Sequence, residues 1–515
     1  MKKCILYFAM SAMILLMASC NTKEKKLIAH IPSDAVSAVA INVKTLIGKS
    51  GMPISNGKVK LPSELDSTFG NNVEEQTLKK SIESLPSSGI DFDSKAYLFF
   101  GSKTFRDGAL FKVSDSKALL QFLTHTGKLK IGEGGTGQKF HYYITGFFVT
   151  VFNDDFIFCG DVRKNLSATE VLHEAEKLLS LDKKDSYLAD DDAVDALTSS
   201  DDVSIYFNYK AFKAAYLDQG EYKSMINASP FLTKLVNSDV SGLLCSINLN
   251  DKDITSTTKI IGDENSPLCK LLHDVIGQPD ANCLKFIPKG IYAILAVSIN
   301  GDALMKNPDF VHDLSQIPDN KLLSAADAKK LISSLNGSIV FSFDYYLYDG
   351  ASLMYGAVKS KDPKFLLGKV SAFVGRGSEL SNLPNGEIGA MISDADGIIY
   401  GVRDGYFYFR TSPDPVNKSA FTDPVVNKLF AGSAFANFVD FRSGSSFAKC
   451  STDEKMQIFG SAKSGISGST FNSDLVFERP VCKNTLQTLI KIISFYACEY
   501  HRYESMEVPD TVAVY

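Results

Sequence analysis

Residues 31–48, IPSDAVSAVAINVKTLIG, and residues 287–305, IPKGIYAILAVSINGDALM, share one plan. Each opens on Ile-Pro and runs through an alternating stretch. Each then reaches Ile-Asn (Ile41-Asn42; Ile299-Asn300) and a short helical stretch ending on Leu46 or Leu304. Alternation puts successive side chains on opposite faces of a sheet, so both stretches predict a strand followed by a helix.

The parallel extends along the chain. A helix ends at Leu85-Pro86 in one half and at Leu335-Asn336-Gly337 in the other, and the strands KAYLFFG (from Lys95) and SIVFSFDYY (from Ser338) follow. VSDSKALLQFL (from Val113) and KSKDPKFLLGKV (from Lys359) each read as a strand end and a capped helix, with Asp362 as cap and Pro363 in the first turn. The hairpins VTVFNDDFIFCG (from Val149) and IIYGVRDGYFYFR (from Ile398) carry their turns at matching places. VSIYFNYKAF (from Val203) matches SAFANFVDFRS (from Ser433), and SPLCKLLHDVI (from Ser266) matches RPVCKNTLQTLI (from Arg479), aligning Cys269 with Cys482. The offset between matched positions falls from 256 (Ile31 to Ile287) to 213 (Ser266 to Arg479), so the second copy is the shorter. The expectation is an internal duplication in an α+β chain: two tandem related units, each an antiparallel-dominated sheet with packed amphipathic helices. The clearest helix opens on the capping box Ser167-x-x-Glu170 and carries the stripe Val171, Leu172, Ala175, Leu178 and Leu179. Expected boundaries are a signal peptide over 1–19, a lipidated Cys and polar tether over 20–29, units over 30–278 and 279–500, and a tail over 501–515.

The N-terminus addresses location. Lys2 and Lys3 precede an apolar run from Ile5 to Met17, then Ala18, Ser19 and Cys20. Charged, apolar and small segments in that order make a secretory signal, too short to span a bilayer. A Cys directly after the small pair looks like a bacterial lipobox, in which the Cys20 thiol takes a diacylglycerol and the cleaved amine is acylated. The alternative is an ordinary signal peptide that contains a Cys. Several acyl chains anchor stably, since each buried CH₂ contributes about 0.8 kcal/mol. The residues after Cys20, NTKEKK, are lysine-rich. Surface-displayed lipoproteins tend to carry an acidic run there, so the periplasmic face of the outer membrane is favoured over the surface.

Composition narrows the partners. Cleavage before Cys20 removes two lysines and leaves 52 basic against 59 acidic residues, net −7. That balance argues against nucleic acid, which needs clustered Lys and Arg. There is no Trp, which lowers a sugar-stacking reading, while 21 Tyr keep a glycan ligand open. Beyond Cys4 and Cys20 stand Cys159, Cys245, Cys269, Cys283, Cys450, Cys482 and Cys498, an odd number without a CxxC, so zinc and redox motifs have no support. Cys482 to Cys498 reads as one helix whose length, about 24 Å at 1.5 Å per residue, forbids a bridge between them.

The lipobox, the segment IPSDAVSAVAINVKTLIGKSG with its Pro-x-Asp-Ala opening, the length and the two-copy plan together resemble an uncharacterised family of Bacteroidetes lipoproteins, domain of unknown function 4836. The resemblance covers essentially the mature chain. It implies an envelope location and no chemistry, and it carries over one functional residue, the lipidated Cys20.

Candidate chemistry is thin. IGEGGTGQKF (131–140) is glycine-rich, but Gly137 is followed by Gln138-Lys139-Phe140 rather than the Lys-Ser/Thr of a phosphate loop, so a hairpin loop is expected. LADDDAVD (188–195) stacks Asp190, Asp191, Asp192 and Asp195 without the spacing of a calcium loop, and reads as a solvated helix start. VLHEAEK (171–177) has His173-Glu174 without a second His, which puts His173 on a polar surface. His30, His125, His141, His273, His312 and His501 are isolated, and no Gly-x-Ser-x-Gly elbow appears. The expectation is a lipid-anchored cell-envelope protein, not an enzyme, that binds or scaffolds an unknown protein or glycan ligand, with no catalytic residues, metal or cofactor. The alternative is a hydrolase acting on envelope glycan or peptide, its residues assembled from distant positions.

Overall fold

The computed structural model describes residues 24–490 apart from 53, 62–65, 67–72, 127–128, 135–138, 147, 163–165, 264, 290–292, 319–322, 346–351, 392–396, 414, 417–418, 423–434, 441–458, 468–469, 480–483 and 488. Cys20, Cys450, Cys482, Cys498 and His501 lie outside the described residues. The chain is α+β, with antiparallel sheets and helices. It divides into two compact units: one comprises the chain to Phe212, Gly242–Asp251 and the segment from Cys482; the other comprises Lys213–Ser241 and Lys252–Val481.

The first unit contains β1 (Ser37–Ile41), β2 (Ala96–Phe100), β3 (Phe105–Lys112), β4 (Gly132–Gly134), β5 (Phe140–Thr145), β6 (Phe148–Phe152), β7 (Phe156–Val162), β8 (Val203–Asn208) and the body of β9 (Val240–Leu249). Pairing is antiparallel throughout, in the order β9-β8-β1-β2-β3-β7-β6-β5-β4. Its core holds aromatic side chains packed around glycines. Phe158 is fully buried, edge-on to Phe105 at 4.9 Å and parallel to Phe99 at 6.0 Å. A Cβ on Gly108 would come within 2.3 Å of the Phe99 ring and 2.8 Å of Phe158, and one on Gly160 within 2.4 Å of Phe158. Those two positions accept only a residue without a side chain.

The second unit contains β10 (Asp253–Gly262), β11 (Ala293–Asn300), β12 (Leu335–Tyr345), β13 (Ser352–Ser360), β14 (Leu380–Asn382), β15 (Ile388–Met391), β16 (Gly397–Arg403), β17 (Tyr406–Arg410), β18 (Phe435–Asp440), β19 (Phe459–Ser467) and β20 (Thr470–Arg479). The order is β10-β20-β19-β18-β11-β12-β13-β17-β16-β15-β14, again antiparallel. From β19 to β14 this repeats, strand for strand in chain order, the sequence from β9 to β4 of the first unit. The β16–β17 hairpin turns through Asp404 and Gly405 at positive φ (53° and 78°), which Asp-Gly tolerates and few other pairs do. In the first unit Asn153 Oδ1 instead accepts the amides of Asp155 and Phe156 to close the β6–β7 turn.

The helices start where short polar side chains can cap them. Ser167 and Glu170 form the capping box of Ala168–Leu179, whose Val171, Ala175, Leu178 and Leu179 are buried. Asp362 caps Pro363–Val374 by accepting from the Phe365 amide, with Pro363 in the first turn. Asn42 and Asn300 cap the matched helices Val43–Ser50 and Gly301–Met305.

Two features differ from the sequence boundaries. A helix runs over Glu24–Ile28, within the stretch read as a polar tether, and its Leu27 and Ile28 are buried. The closing segments also change places. In the first unit, Asn484 Nδ2 donates to the Lys49 carbonyl, Thr485 Oγ1 donates to the Asn250 carbonyl, and Ile490 packs on the Met52–Leu61–Ile82 cluster. In the second unit, β10 pairs with β20 from Asp253↔Val476, and Ile276 pairs with Ile299 just beyond the helix Pro267–Val275. Chain order alone cannot reveal this, because alternation in a strand does not name its partner.

Candidate functional site

Three places in the described residues could hold chemistry. The first is an open depression of about 600 Å³ in the first unit, lined by Lys103, Thr104, Leu166, Thr169, Glu170, His173 and Glu174. It gathers the His-Glu pair flagged in the sequence against the β2–β3 turn. Its groups are already occupied. Glu170 closes the capping box by accepting from the Ser167 amide and hydroxyl, and those bonds hold its carboxyl below the usual glutamate range. Glu174 pairs with Lys177 at 2.5 Å. Thr104 Oγ1 lies 3.4 Å from Glu174, outside the 2.6–3.2 Å reach a base needs on a nucleophile. His173 is exposed.

The second is the aspartate run. Asp190 caps the helix Asp191–Thr198 through the Ala193 amide and also accepts from the buried Tyr206 hydroxyl at 2.8 Å. Asp191 and Asp192 occupy the first turn, where the helix dipole favours them. The glycine-rich stretch is likewise structural where it is described. Gly132–Gly134 is an edge strand under the rings of Tyr142 and Phe140, which a Cβ on Gly132 or Gly134 would meet at 2.7 and 3.1 Å. Its tip, 135–138, lies outside the described residues.

The third place was not flagged in the sequence. In the second unit Arg410, at 6% exposure, makes a two-pronged pair with Glu387, Nη1 to Oε1 at 2.5 Å and Nη2 to Oε2 at 3.0 Å. Tyr408 donates to the same Oε1 at 2.8 Å. Arg410 holds the Glu387 carboxyl below the usual glutamate range, and burial, with Glu387 adding to it, pushes the Tyr408 hydroxyl up to about 12. The period-two run YFYFR was the available signal, since it puts Tyr406, Tyr408 and Arg410 on one face of β17. Nothing local to Glu387 pointed to its partner 23 residues away.

The remaining titratable groups do not converge. Among the described residues no cluster of three or more His, Cys, Asp or Glu could hold a metal ion. Cys159, Cys245, Cys269 and Cys283 are free thiols, and burial pushes Cys159 up to about 11 and Cys283 up to about 12, far from a reactive thiolate. His30 stacks on Phe156 at 4.1 Å with Nδ1 3.0 Å from the Leu178 carbonyl, and burial lowers its pKa below 6.5. In the unfolded chain this His takes its proton more readily. Stability is therefore expected to be intact above about pH 6.5 and to fall as pH drops through that value, levelling off below the folded pKa. The melting temperature of a His30→Leu variant, followed from about pH 7 to about pH 5, should lose that part of the slope; an unchanged slope would assign it elsewhere.

One surface stands open. On β11 and β12 of the second unit, Ile294, Ala296 and Val340 point into the core, while Leu295 (42%), Phe341 (37%) and Phe343 (38%) are exposed. Leu295 lies directly across from Phe341, and Phe343 across from Ala293. The strands thus present contiguous large apolar side chains to solvent, which monomeric surfaces usually avoid. No helix among the described residues is long and apolar enough to cross a membrane.

A family model described as Domain of unknown function (DUF4836) matches residues 28–361. No curated protein matches the chain. Among solved structures, crystal form III of TP0453 is similar at 12% identity and TM-score 0.24 over 48% of this chain and 84% of that one. Crystal form I of TP0453 is similar at 13% identity and TM-score 0.24 over 45% and 77%. Likeness at that score implies neither a shared fold nor a shared role.

Proposed function

The chain belongs to the DUF4836 family, and from that premise we propose that it is a lipid-anchored lipoprotein of the bacterial cell envelope, of the Bacteroidetes type, that binds or scaffolds a protein or glycan and catalyses nothing. The matched strand order of the two units supports an origin by duplication. The lipobox supports attachment through Cys20, and the outer membrane, periplasmic face, is the location that best fits the lysine-rich sequence after it. The observation that carries the binding reading is the exposed apolar strip Leu295, Phe341 and Phe343.

Two measurements test this. Cys20→Ala should leave an unprocessed or soluble protein that partitions into the aqueous phase of a detergent split; detergent partitioning after signal removal would refute the anchor. For binding, the lipidated chain is used as bait in intact envelope beside a Phe341→Ser/Phe343→Ser variant. A partner retained by the first and lost by the second is expected. Equal capture by both would refute the strip as the binding face. Turnover of peptidoglycan, polysaccharide or ester substrates that vanishes on changing one buried carboxylate would replace binding with hydrolysis.

A further inference from the structure

The aromatic face of β17 carries a second feature. Tyr406 is paired across the sheet with Lys359 on β13 and with Arg403 on β16, so all three side chains stand on one face in one row. Phe286 lies on Tyr406 at 5.2 Å and on Tyr408 at 5.1 Å, which makes an apolar floor in which Phe286 and Tyr406 are 3% and 2% exposed. The cations rest on this floor. Lys359 Nζ sits 4.4 Å from the Tyr406 ring centre, and the Arg403 guanidinium sits 5.1 Å from Phe286 and 5.5 Å from Tyr408.

Neither cation has a carboxylate partner among the described residues. Other lysines of this unit do: Lys330 with Asp362, Lys361 with Asp302 and Lys369 with Asp327. Lys359 donates only to the Asp404 carbonyl, at 3.2 Å. The carboxylate that feels Arg403 is Glu387, and both its oxygens are bound by Arg410. Lys359 and Arg403 are thus held in place by ring stacking rather than by a counter-ion among the described residues. Stacking has already fixed long, rotamer-rich side chains, so an anion that binds them incurs little further ordering cost. The guanidinium keeps its N–H edge free for the two-pronged bond that suits an oxyanion.

We propose that Lys359 and Arg403 form a binding site for phosphoryl groups, carried by a lipid headgroup or by a soluble or saccharide phosphate ester. This deepens the binding reading and rests on it, while using a different surface from the apolar strip. The test uses the full chain carrying Cys20→Ala, so that no acyl chain contributes. Inorganic phosphate should bind saturably by calorimetry, and Lys359→Gln or Arg403→Gln should each weaken it about tenfold or more, the loss typical of a hydrogen bond to a charged group. Arg403→Lys, which keeps the charge and loses the fork, should weaken it partially, and this reading stands if a glutamine variant fails to fold. Sedimentation with phosphatidylcholine vesicles containing phosphatidylglycerol, lost in Lys359→Gln/Arg403→Gln, would identify a lipid source. Binding of inorganic phosphate and glucose 6-phosphate without such vesicles would identify a soluble or saccharide one. Absence of saturable phosphate binding, or equal binding by the unaltered chain and the double variant, overturns the site. Envelope capture by the double variant keeps the outcomes apart: partners retained with phosphate binding absent would leave the binding reading standing and remove this site alone.

Discussion

Arg410→Met is expected to destabilise the second unit by about 3–5 kcal/mol, the usual consequence of removing one partner from a buried ion pair. The Arg410 and Glu387 side chains are 7% and 14% exposed, so the carboxylate left behind has little water to turn to. Among the described residues Tyr408 would remain as its side-chain donor, one neutral hydroxyl in place of a guanidinium fork. A double variant, Arg410→Met/Glu387→Leu, should recover much of the loss, because two apolar groups need no partners. Denaturant midpoints of the two variants measure this directly. If the double variant were as unstable as the single, the cost would lie in packing around β17 rather than in the stranded charge.

Phe158→Ala is expected to cost a similar amount, about 3–5 kcal/mol, in the first unit. The ring is fully buried, touches Phe99 and Phe105, and fills space that Gly108 and Gly160 keep open. Removing it leaves a cavity that the strands cannot close, since β7 is locked in register between β3 and β6. Phe158→Leu, which keeps much of the volume, should lose less than half as much. Hydrogen exchange of the β3 and β7 amides would show where the loss falls, and a Phe158→Ala penalty below about 1 kcal/mol would mean the site collapses around the gap.

Much of the local structure was legible in the sequence. The caps at Asp362 and Ser167 read correctly because each needs only a short polar side chain near the first free amides. The hairpin at Asp404-Gly405 was legible because Asp-Gly tolerates the positive φ its turn needs. The long-range arrangement was not. The alternating run on β11 reads as a strand, yet alternation does not say that the face with Leu295 is open rather than covered. The Glu387–Arg410 pair joins positions that no local pattern connects, although the YFYFR alternation already named the face on which Arg410 lies.

The exchanged closing segments bear on how such a chain can change over evolutionary time. Asn484, Thr485 and Ile490 complete the first unit, and Asp253–Gly262 and Ile276–Gly277 complete the second. Deleting either half would therefore strip a piece from the half that stays. Changes within either unit leave this exchange in place, whereas a truncation that kept one continuous half of the chain would keep neither unit whole.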